Sequence, residues 1–393
     1  MQGISIVIPI LNGGRIFEES LLGIRAQDFE GPVDLLVVDS GSTDGTPAAA
    51  ERAGARVIRI PNRSFHHART RNLALKHTIY EDVVFMVQDA IPVGNLWLNH
   101  LRSVLRETGA AAVYGRQIAH ASAGPYARWT TEGLNRFLGP DRRLQSLASP
   151  DAYAEMTFDE AYRVTRLDNV CALYRKKLLL LHPFPEVPYA EDMAWAKEIL
   201  FAGERICYDP DVVVRHSHDR PADYVFRRHV VDSVFCGRIL GKLRNDFSGL
   251  SVSDLIDVSH GVESRVKGLM GGDFRSQGKH LESGGLFPYL YARFSFRNTC
   301  RRFLLRGLRR LRGGSGFSRG EILGKALAEV DYHWRSMRES LPPLREAEAW
   351  DALQKLAAGV LGKWYGDTYA AQAARGVLKT DLQRFTRPYL SGI

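Results

Sequence analysis

The sequence has little of what marks a secreted or membrane-spanning protein. No apolar run approaches the roughly 18 residues that a membrane-spanning helix needs. The apolar run at residues 4–11 has no basic region before it, so it predicts a strand and not a signal peptide. The four cysteines are widely spaced and form no CxxC pair, which favours reduced thiols in a cytoplasmic protein. They are Cys171, Cys207, Cys236 and Cys300.

Glycine and proline are not abundant enough for a collagen-like or low-complexity chain. The 393 residues include 36 Gly and 17 Pro beside 45% hydrophobic residues. This composition excludes a disordered or collagen-like chain, which would not carry such an apolar fraction. The length predicts two domains, or one large domain with an extension.

The first half of the chain lacks any excess of positive charge. The formal net charge is +9. Residues 1–220 hold 25 Lys and Arg against 27 Asp and Glu, a net of −2, whereas residues 221–393 hold 28 against 17, a net of +11. The first half therefore does not act through bulk positive charge, and the total gives no support to nucleic acid as a substrate.

Strand-like and helix-like patterns alternate over the first 120 residues. Continuous apolar runs predict strands at 4–10, 33–38, 56–60, 82–87 and 110–114, with amphipathic stretches between them that predict helices. This alternation predicts an α/β fold, with a mostly parallel sheet and helices on both faces. In such sheets ligands bind beyond the carboxyl ends of the strands, so the candidate site residues are sought there.

After Pro221 the strand pattern gives way to helical periodicity. The predicted helices lie at 224–243, 294–311, 322–337 and 347–364. We therefore expect a first domain of residues 1–220, followed by an α-helical C-terminal domain of residues 221–393.

The loop after the second strand carries two carboxylates, Asp39 and Asp44, together with Ser42. Their oxygens can accept hydrogen bonds from a base or a ribose, and the neighbouring glycines let the backbone approach a ligand closely. The alternative is a tight turn in which Asp44 or an adjacent hydroxyl caps the next helix.

Two further segments place charge at the predicted edge of the sheet. Residues 65–72 start the third predicted helix and contain Arg69 and Arg71. Positive charges at the start of a helix oppose its dipole, so these arginines predict a bound anion there, such as phosphate. The alternative is a pair of solvated arginines. Asp89 follows the fourth strand, where a carboxylate can hold a divalent cation that also binds a diphosphate, or can cap the segment that follows.

Carboxylates and imidazoles also stand near the end of the first domain. Glu191 and Asp192 begin a helix, where the dipole alone accounts for one of them, while Asp192 can serve as a general base for a substrate hydroxyl. His216 and His218 alternate along the last strand and would face the same side, so one metal could meet either or both.

The order and placement of these residues resemble glycosyltransferase family 2, the inverting enzymes of the GT-A fold, across roughly residues 4–220. The supporting motifs are Ser5–Pro9, Val37–Thr46, Gln88–Ala90 and Glu191–Trp195. A narrower resemblance to the rhamnosyltransferase branch is carried by Thr70–Asn72, Gln88–Pro92, Tyr114–Gln117 and His216–His218.

The resemblance implies a role for each matching residue. Asp39 would lie near the base of a nucleotide-sugar donor, Asp44 near its ribose or the neighbouring loop, and Arg71 near its diphosphate. Asp89 matches the metal-binding aspartate of the family, and Asp192 matches its catalytic base. The other donor-side residues are Pro9, Ser42 and Gln88, and the acceptor-side or supporting residues are Glu191, Trp195 and Arg116.

The sequence departs from the family pattern at the metal site. The usual DxD triplet stands here as Gln-Asp-Ala at residues 88–90, with a single carboxylate. Either the enzyme does not use a metal, or His216 or His218 completes a site for Mg²⁺ or Mn²⁺ with Asp89. Mg²⁺ prefers oxygen ligands, whereas Mn²⁺ accepts imidazole more readily.

The resemblance further implies an inverting transfer of L-rhamnose from dTDP-L-rhamnose to a hydroxyl of a growing, lipid-linked surface polysaccharide. A UDP-hexose or UDP-N-acetylhexosamine donor is one alternative. A non-catalytic adaptor for a membrane or a nucleic acid is another, although intact Asp39, Asp89 and Asp192 speak against it.

The positive charge of the second half is concentrated in one segment. Residues 291–312 contain eight arginines and no acidic residue, and apolar residues recur there at helical spacing. This pattern predicts a basic amphipathic helix at 293–312, of the kind that lies on the surface of an anionic membrane. We therefore expect a cytoplasmic protein that is peripherally associated with the inner face of the cell membrane. The alternatives are packing of the apolar face on other C-terminal helices, or nucleic-acid binding, which no recognised motif supports.

Overall fold

The computed structural model describes residues 3–270, 286–293 and 319–390. The chain divides into two compact units, Met1–Ala123 with Thr130–His218 and Gly124–Trp129 with Asp219–Ile393. The predicted basic helix at 293–312, apart from its first residue, lies outside the described residues.

The first unit is built on one sheet. Its strands are β1 (Ile4–Ile10), β2 (Val33–Asp39), β3 (Arg56–Arg59), β4 (Asp82–Met86), β5 (Ile91–Pro92), β6 (Ala112–Ile118), β7 (Arg143–Gln145), β8 (Cys171–Arg175) and β9 (Ile206–Arg215). The α-helices described before residue 219 are α1 (Gly14–Arg25), α2 (Thr46–Arg52), α3 (His67–Leu75), α4 (Trp97–Thr108), α5 (Pro125–Leu138), α6 (Pro150–Glu155), α7 (Phe158–Val164), α8 (Lys176–Leu181) and α9 (Glu191–Phe201).

The sheet is mixed, in the order β3-β2-β1-β4-β8-β6-β9-β5, with β7 paired to β9. The first four strands of this order are parallel, as are β6 and β9, while β8 runs antiparallel to both β4 and β6. Strands β5 and β7 also pair antiparallel with β9. The predicted α/β class is confirmed, but the sheet is less parallel than expected. A strand buried on both faces is a continuous apolar run in either direction, so its pattern does not reveal its direction.

Helices cover both faces of this sheet, as predicted. Ile6 of β1 belongs to an apolar cluster with Phe17 of α1. The next residue along the strand, Val7, belongs to a second cluster with Leu75 of α3 and Trp195 of α9. Successive side chains of a strand point to opposite faces, so the two clusters form the two layers of core.

The register brings the polar ends of several strands to one edge. Ile10 pairs with Asp39 at the ends of β1 and β2, and Met86 at the end of β4 pairs with Cys171 at the start of β8. Because β8 is antiparallel to its neighbours, its amino end meets their carboxyl ends. The segments just before β8 and just after β1, β2, β4, β6 and β9 therefore share this edge.

The second unit is helical where it is described, as predicted. Its helices are α10 (Ala222–Leu240), α11 (Val252–Leu269), α12 (Leu286–Arg293), α13 (Arg319–Ser340), α14 (Glu346–Ala374) and α15 (Thr380–Leu390). Helices α10 and α14 approach closely at Gly362 and Gly366, where an added Cβ would lie 2.4 Å from the Phe226 oxygen and 2.6 Å from the Val230 oxygen. Among the helices of the described ranges, none is long and apolar enough to cross a membrane.

Candidate active site

The loops after β1 and β2 are joined by three hydrogen bonds. The Asn12 amide donates to Ser42 Oγ (2.9 Å), the Thr43 amide donates to Asn12 Oδ1 (2.8 Å), and the Gly14 amide donates to Thr46 Oγ1 (3.1 Å). Asn12 has φ of +48°, which asparagine tolerates better than most residues. The two loops form one platform at the sheet edge, with Ser42 inside it. The sequence indicates a turn at residues 12–14, because an asparagine before two glycines follows a strand, but it gave Asn12 no role at the site.

The two carboxylates of the β2 loop have different surroundings. Asp39 is buried, and its Oδ1 accepts a hydrogen bond from the Ser42 amide (3.0 Å). Asp44 is exposed, and hydrogen bonds from the Thr46 hydroxyl and amide lower the pKa of its carboxyl. Pro9 lies half-buried on β1. The donor-binding roles of Pro9, Asp39, Ser42 and Asp44 stay predictions.

Gln88 fastens the loop after β4 to the end of β1. Its Oε1 accepts from the Leu11 amide (2.8 Å), and its Nε2 donates towards the Leu11 carbonyl oxygen (3.3 Å). Both ends of the side-chain amide are therefore engaged with backbone. This contact gives Gln88 a structural role, and its contact with a donor stays a prediction.

Asp89, His216 and His218 converge at the same edge. The distance from Asp89 Oδ1 to His216 Nε2 is 3.7 Å, and that from Asp89 Oδ2 to His218 Nδ1 is 3.4 Å. The two imidazole rings stand edge to face with centroids 4.5 Å apart. His120 Nε2 lies 3.1 Å from the backbone oxygen of Asp89 and holds the loop in place. Sequence reasoning missed His120, whose neighbours along the chain give no sign of this contact.

This set of side chains fits a divalent cation. One carboxylate and two imidazoles offer ligand atoms that all lie within 4.8 Å of one another. Two nitrogen ligands suit Mn²⁺ better than Mg²⁺, which prefers an all-oxygen shell. Asp89, His216 and His218 are the residues that would hold the ion, and their metal-binding roles stay predictions.

A second group, His100, Asp209 and Asp211, meets the same distance limit. There, however, Asp209 Oδ2 accepts from the Arg142 guanidinium at 2.5 Å, so its charge is already compensated within the protein. We assign no cation to this group.

Arg71 and Glu191 form a buried ion pair. Arg71 lies in the middle of α3, 3% of the residue is exposed, and its Nη1 is 2.8 Å from Glu191 Oε1. The same carboxylate oxygen accepts from the Asn169 side-chain amide (3.1 Å). In this structure the Arg71 charge is paired inside the protein instead of being presented to solvent, and its contact with a diphosphate stays a prediction. Glu191 is a supporting residue here, buried beside the proposed base.

Asp192 is held at the start of α9 by backbone donors. The Asn169 amide donates to its Oδ2 (3.0 Å), and the Met193 amide donates to its Oδ1 (2.8 Å). Ala190, just before the helix, has φ of +57°, a left-handed conformation that costs alanine about 1 kcal/mol. Burial, and then the neighbouring Glu191 carboxylate, raise the pKa of Asp192 above its usual value. A raised pKa suits a general base, because a stronger base takes a proton more readily.

The other two predicted acceptor-side residues lie in different environments. Trp195 has no exposed surface, and its indole Nε1 donates to the His182 oxygen (2.7 Å). The Trp195 ring packs from α9 against Tyr174 of β8, which gives it a structural role, and its contact with an acceptor stays a prediction. Arg116 is exposed on β6, where a contact with the acceptor stays a prediction.

The edge of the sheet therefore gathers a raised-pKa carboxylate, a candidate cation site and a two-loop platform. This combination suits an enzyme that removes a proton from one substrate while it binds the charged part of another.

Comparisons with known proteins agree with this class. The sequence model for glycosyl transferase family 2 matches residues 5–180. The O-antigen chain rhamnosyltransferase RfbN of Salmonella typhimurium is 32% identical over 236 residues, which cover 59% of this chain and 72% of that protein. The O-antigen chain rhamnosyltransferase WbaN of Salmonella anatum is 30% identical over 241 residues, 60% of this chain and 72% of that protein.

A similar solved structure is the mannosyltransferase PcManGT from Pyrobaculum calidifontis in complex with GDP-Man and Mn²⁺. It is 24% identical, with a TM-score of 0.42 over 58% of this chain and 61% of that chain.

The chain belongs to glycosyl transferase family 2. It is a nucleotide-sugar-dependent glycosyltransferase, and its first unit has the α/β fold that the GT-A type predicts. The family and class predicted from the motifs are thus confirmed.

Proposed function

We propose that this glycosyltransferase transfers L-rhamnose from dTDP-L-rhamnose to a hydroxyl of a growing, lipid-linked O-antigen polysaccharide. Two curated relatives that match about three fifths of the chain are O-antigen chain rhamnosyltransferases, which supports the sugar and the product. The observation that carries the chemistry is the placement of Asp192, a fixed carboxylate of raised pKa at the carboxyl edge of the sheet.

In the proposed reaction Asp192 accepts the proton of the acceptor hydroxyl. The hydroxyl oxygen forms a bond with the anomeric carbon of the sugar, and the bond from that carbon to the diphosphate oxygen breaks. Attack from the face opposite the leaving group inverts the configuration. The backbone amides of Asn169 and Met193 keep the carboxylate aimed during the proton transfer.

The leaving nucleoside diphosphate gains negative charge as the bond breaks. A divalent cation held by Asp89 with His216 and His218 would supply a positive charge to stabilise it. The platform formed by the β1 and β2 loops would bind the nucleoside, with Asp39 and Asp44 as acceptors for the base and the ribose. Asp39 and Asp44 are placed on that platform by the contacts already described.

We also propose that the enzyme works at the inner membrane surface, held by the basic segment 293–312. This proposal rests on the sequence, in which eight arginines accompany an apolar face and no acidic residue is present. A lipid-linked acceptor would then meet an active site already at the membrane.

The test separates donor binding from transfer. Wild type and Asp192→Asn are screened for thermal stabilisation by dTDP-L-rhamnose, UDP-glucose and UDP-N-acetylglucosamine with Mn²⁺, and for transfer of radiolabelled rhamnose to a lipid-linked acceptor. We expect dTDP-L-rhamnose to stabilise both proteins, and transfer to fall by about 10²–10⁴-fold in the variant. The exposed Asp211→Asn is the matched control and should keep full transfer.

Near-normal turnover in Asp192→Asn would show that another group is the base. Stabilisation confined to the UDP-sugars would overturn the rhamnose assignment and favour a UDP-hexose or UDP-N-acetylhexosamine donor.

A further inference from the structure

A chain of buried hydrogen bonds runs behind the candidate cation site. Gln117, near the end of β6, is buried, and its Nε2 donates to Asp168 Oδ2 (3.0 Å). The other end of the same amide, Oε1, lies 2.8 Å from His216 Nδ1. Gln117 and His216 meet because β6 and β9 are parallel neighbours, and Asp168 joins them because β8 is antiparallel to β6. Sequence reasoning gave Gln117 and Asp168 no role.

The charge of Asp168 fixes the direction of the Gln117 amide. An ionised carboxylate can only accept hydrogen bonds, and Asp168 Oδ2 also accepts from the Arg166 guanidinium (3.2 Å). Burial raises the pKa of Asp168 to about 6. Its carboxyl is therefore ionised at pH 8. The amide NH₂ of Gln117 must therefore face Asp168, and its carbonyl oxygen must face His216.

The direction of the amide in turn fixes the tautomer of His216. A carbonyl oxygen can only accept, so the hydrogen between it and His216 must be carried by Nδ1. A neutral imidazole carries one ring hydrogen, which leaves the lone pair on Nε2. That Nε2 is the atom 3.7 Å from Asp89 Oδ1. A nitrogen lone pair and a carboxylate oxygen facing each other are both suited to a cation between them.

We propose that Gln117 and Asp168 are positioning residues that hold His216 as the Nδ1–H tautomer, with Nε2 ready to bind a divalent cation beside Asp89. This deepens the proposed function, on which it rests for the use of the cation. Metal-binding histidines are commonly oriented through their second ring nitrogen, and loss of such a partner typically weakens metal binding about 10–100-fold.

The tautomer can be observed directly in the metal-free protein. Histidine-selective ¹⁵N labelling at pH 8, with the His216 signals assigned by their loss in His216→Ala, shows by NMR which ring nitrogen carries the hydrogen. The proposal expects hydrogen on Nδ1 and an unprotonated Nε2. Hydrogen on Nε2 of the wild-type protein would overturn it, whatever any variant does.

The effect on the cation is measured without any sugar donor. Mn²⁺ binding is followed by electron paramagnetic resonance of the free ion in wild type, Gln117→Leu, Asp168→Asn and the control Gln372→Leu. Gln372 is a buried glutamine of the helical unit whose amide also makes hydrogen bonds at both ends, so its substitution matches the loss of polarity.

Gln117→Leu should bind Mn²⁺ about 10–100-fold more weakly and lose the fixed tautomer. Asp168→Asn should keep most of the affinity, because the Arg166 guanidinium can only donate and would hold the new amide oxygen where it still accepts from Gln117. Gln372→Leu should match wild type. Unchanged Mn²⁺ affinity in Gln117→Leu would overturn the proposal. Because neither readout uses a donor or an acceptor, an error in the assigned sugar would leave both results intact.

Discussion

Removing one partner of the buried Arg71–Glu191 ion pair should destabilise the fold more than removing both partners together. Its side chains are 3% and 7% exposed, and the two charged groups are 2.8 Å apart. Substitution of Arg71 by Met would leave the Glu191 carboxylate in a buried site without its cation. Breaking such a pair from one side typically costs about 3–5 kcal/mol of folding free energy.

The matched double variant tests this reasoning. In Arg71→Met with Glu191→Gln no buried charge is left from the pair, and the new amide oxygen can still accept from Asn169. Replacing both partners of a buried pair by neutral groups is often close to neutral in stability. We therefore expect the double variant to recover about 2 kcal/mol or more relative to Arg71→Met alone. Urea unfolding of wild type, both single variants and the double variant completes the cycle.

The same variants report on the proposed base. Glu191 already raises the pKa of Asp192, and loss of the Arg71 charge would strengthen that effect. Because the base must be deprotonated, transfer falls as pH drops through its pKa, so the acidic limb of the pH–rate profile should move to higher pH in Arg71→Met. The limb should move to lower pH in the double variant. Additive stabilities together with an unchanged pH profile would refute the argument.

Two further predictions concern packing and the membrane. In Gly115→Ala the new Cβ would lie 2.0 Å from the Val212 oxygen at the irregular pairing of β6 with β9, so we expect a loss of about 1–3 kcal/mol by thermal unfolding. The control is Gly324→Ala, which adds a Cβ with nothing within 4 Å of it on a helix and should not be destabilising. Equal stability of the two variants would contradict the explanation by steric overlap. The full chain should co-sediment with anionic but not neutral vesicles, and replacing the eight arginines of 293–312 by serine should abolish this. Failure of the wild type to bind anionic vesicles would remove the membrane proposal.

Much of the fold could be predicted because its signals are local. The β1 and β2 runs are mostly apolar, and both lie in the sheet within a residue or so of their expected bounds. The direction of β8 could not be predicted, since an apolar strand buried on both faces has the same pattern in either orientation. That direction brings Asp168 and Asn169 to the active edge.

In the candidate site, too, the features that depend on local sequence could be predicted and the long-range contacts could not. Asp89, Asp192 and His216 could be proposed because each follows or precedes a recognisable element, and a polar residue at such a point is conspicuous. Their partners could not be proposed, since the Gln117 contact with His216 joins residues 99 positions apart, and that of Arg71 with Glu191 joins residues 120 apart. No local periodicity records which distant side chain will share a hydrogen bond.

By itself the sequence determined the family, the strand-end carboxylates and the uneven distribution of charge between the two halves. Those properties depend on residue type and short-range order along the chain. Only the tertiary structure decided that Arg71 is neutralised by Glu191, that Gln88 is bound to backbone, and that Trp195 is buried in the core. Hydrogen-bond direction and burial are set by which segments the sheet brings together, so they exist only once the chain has folded.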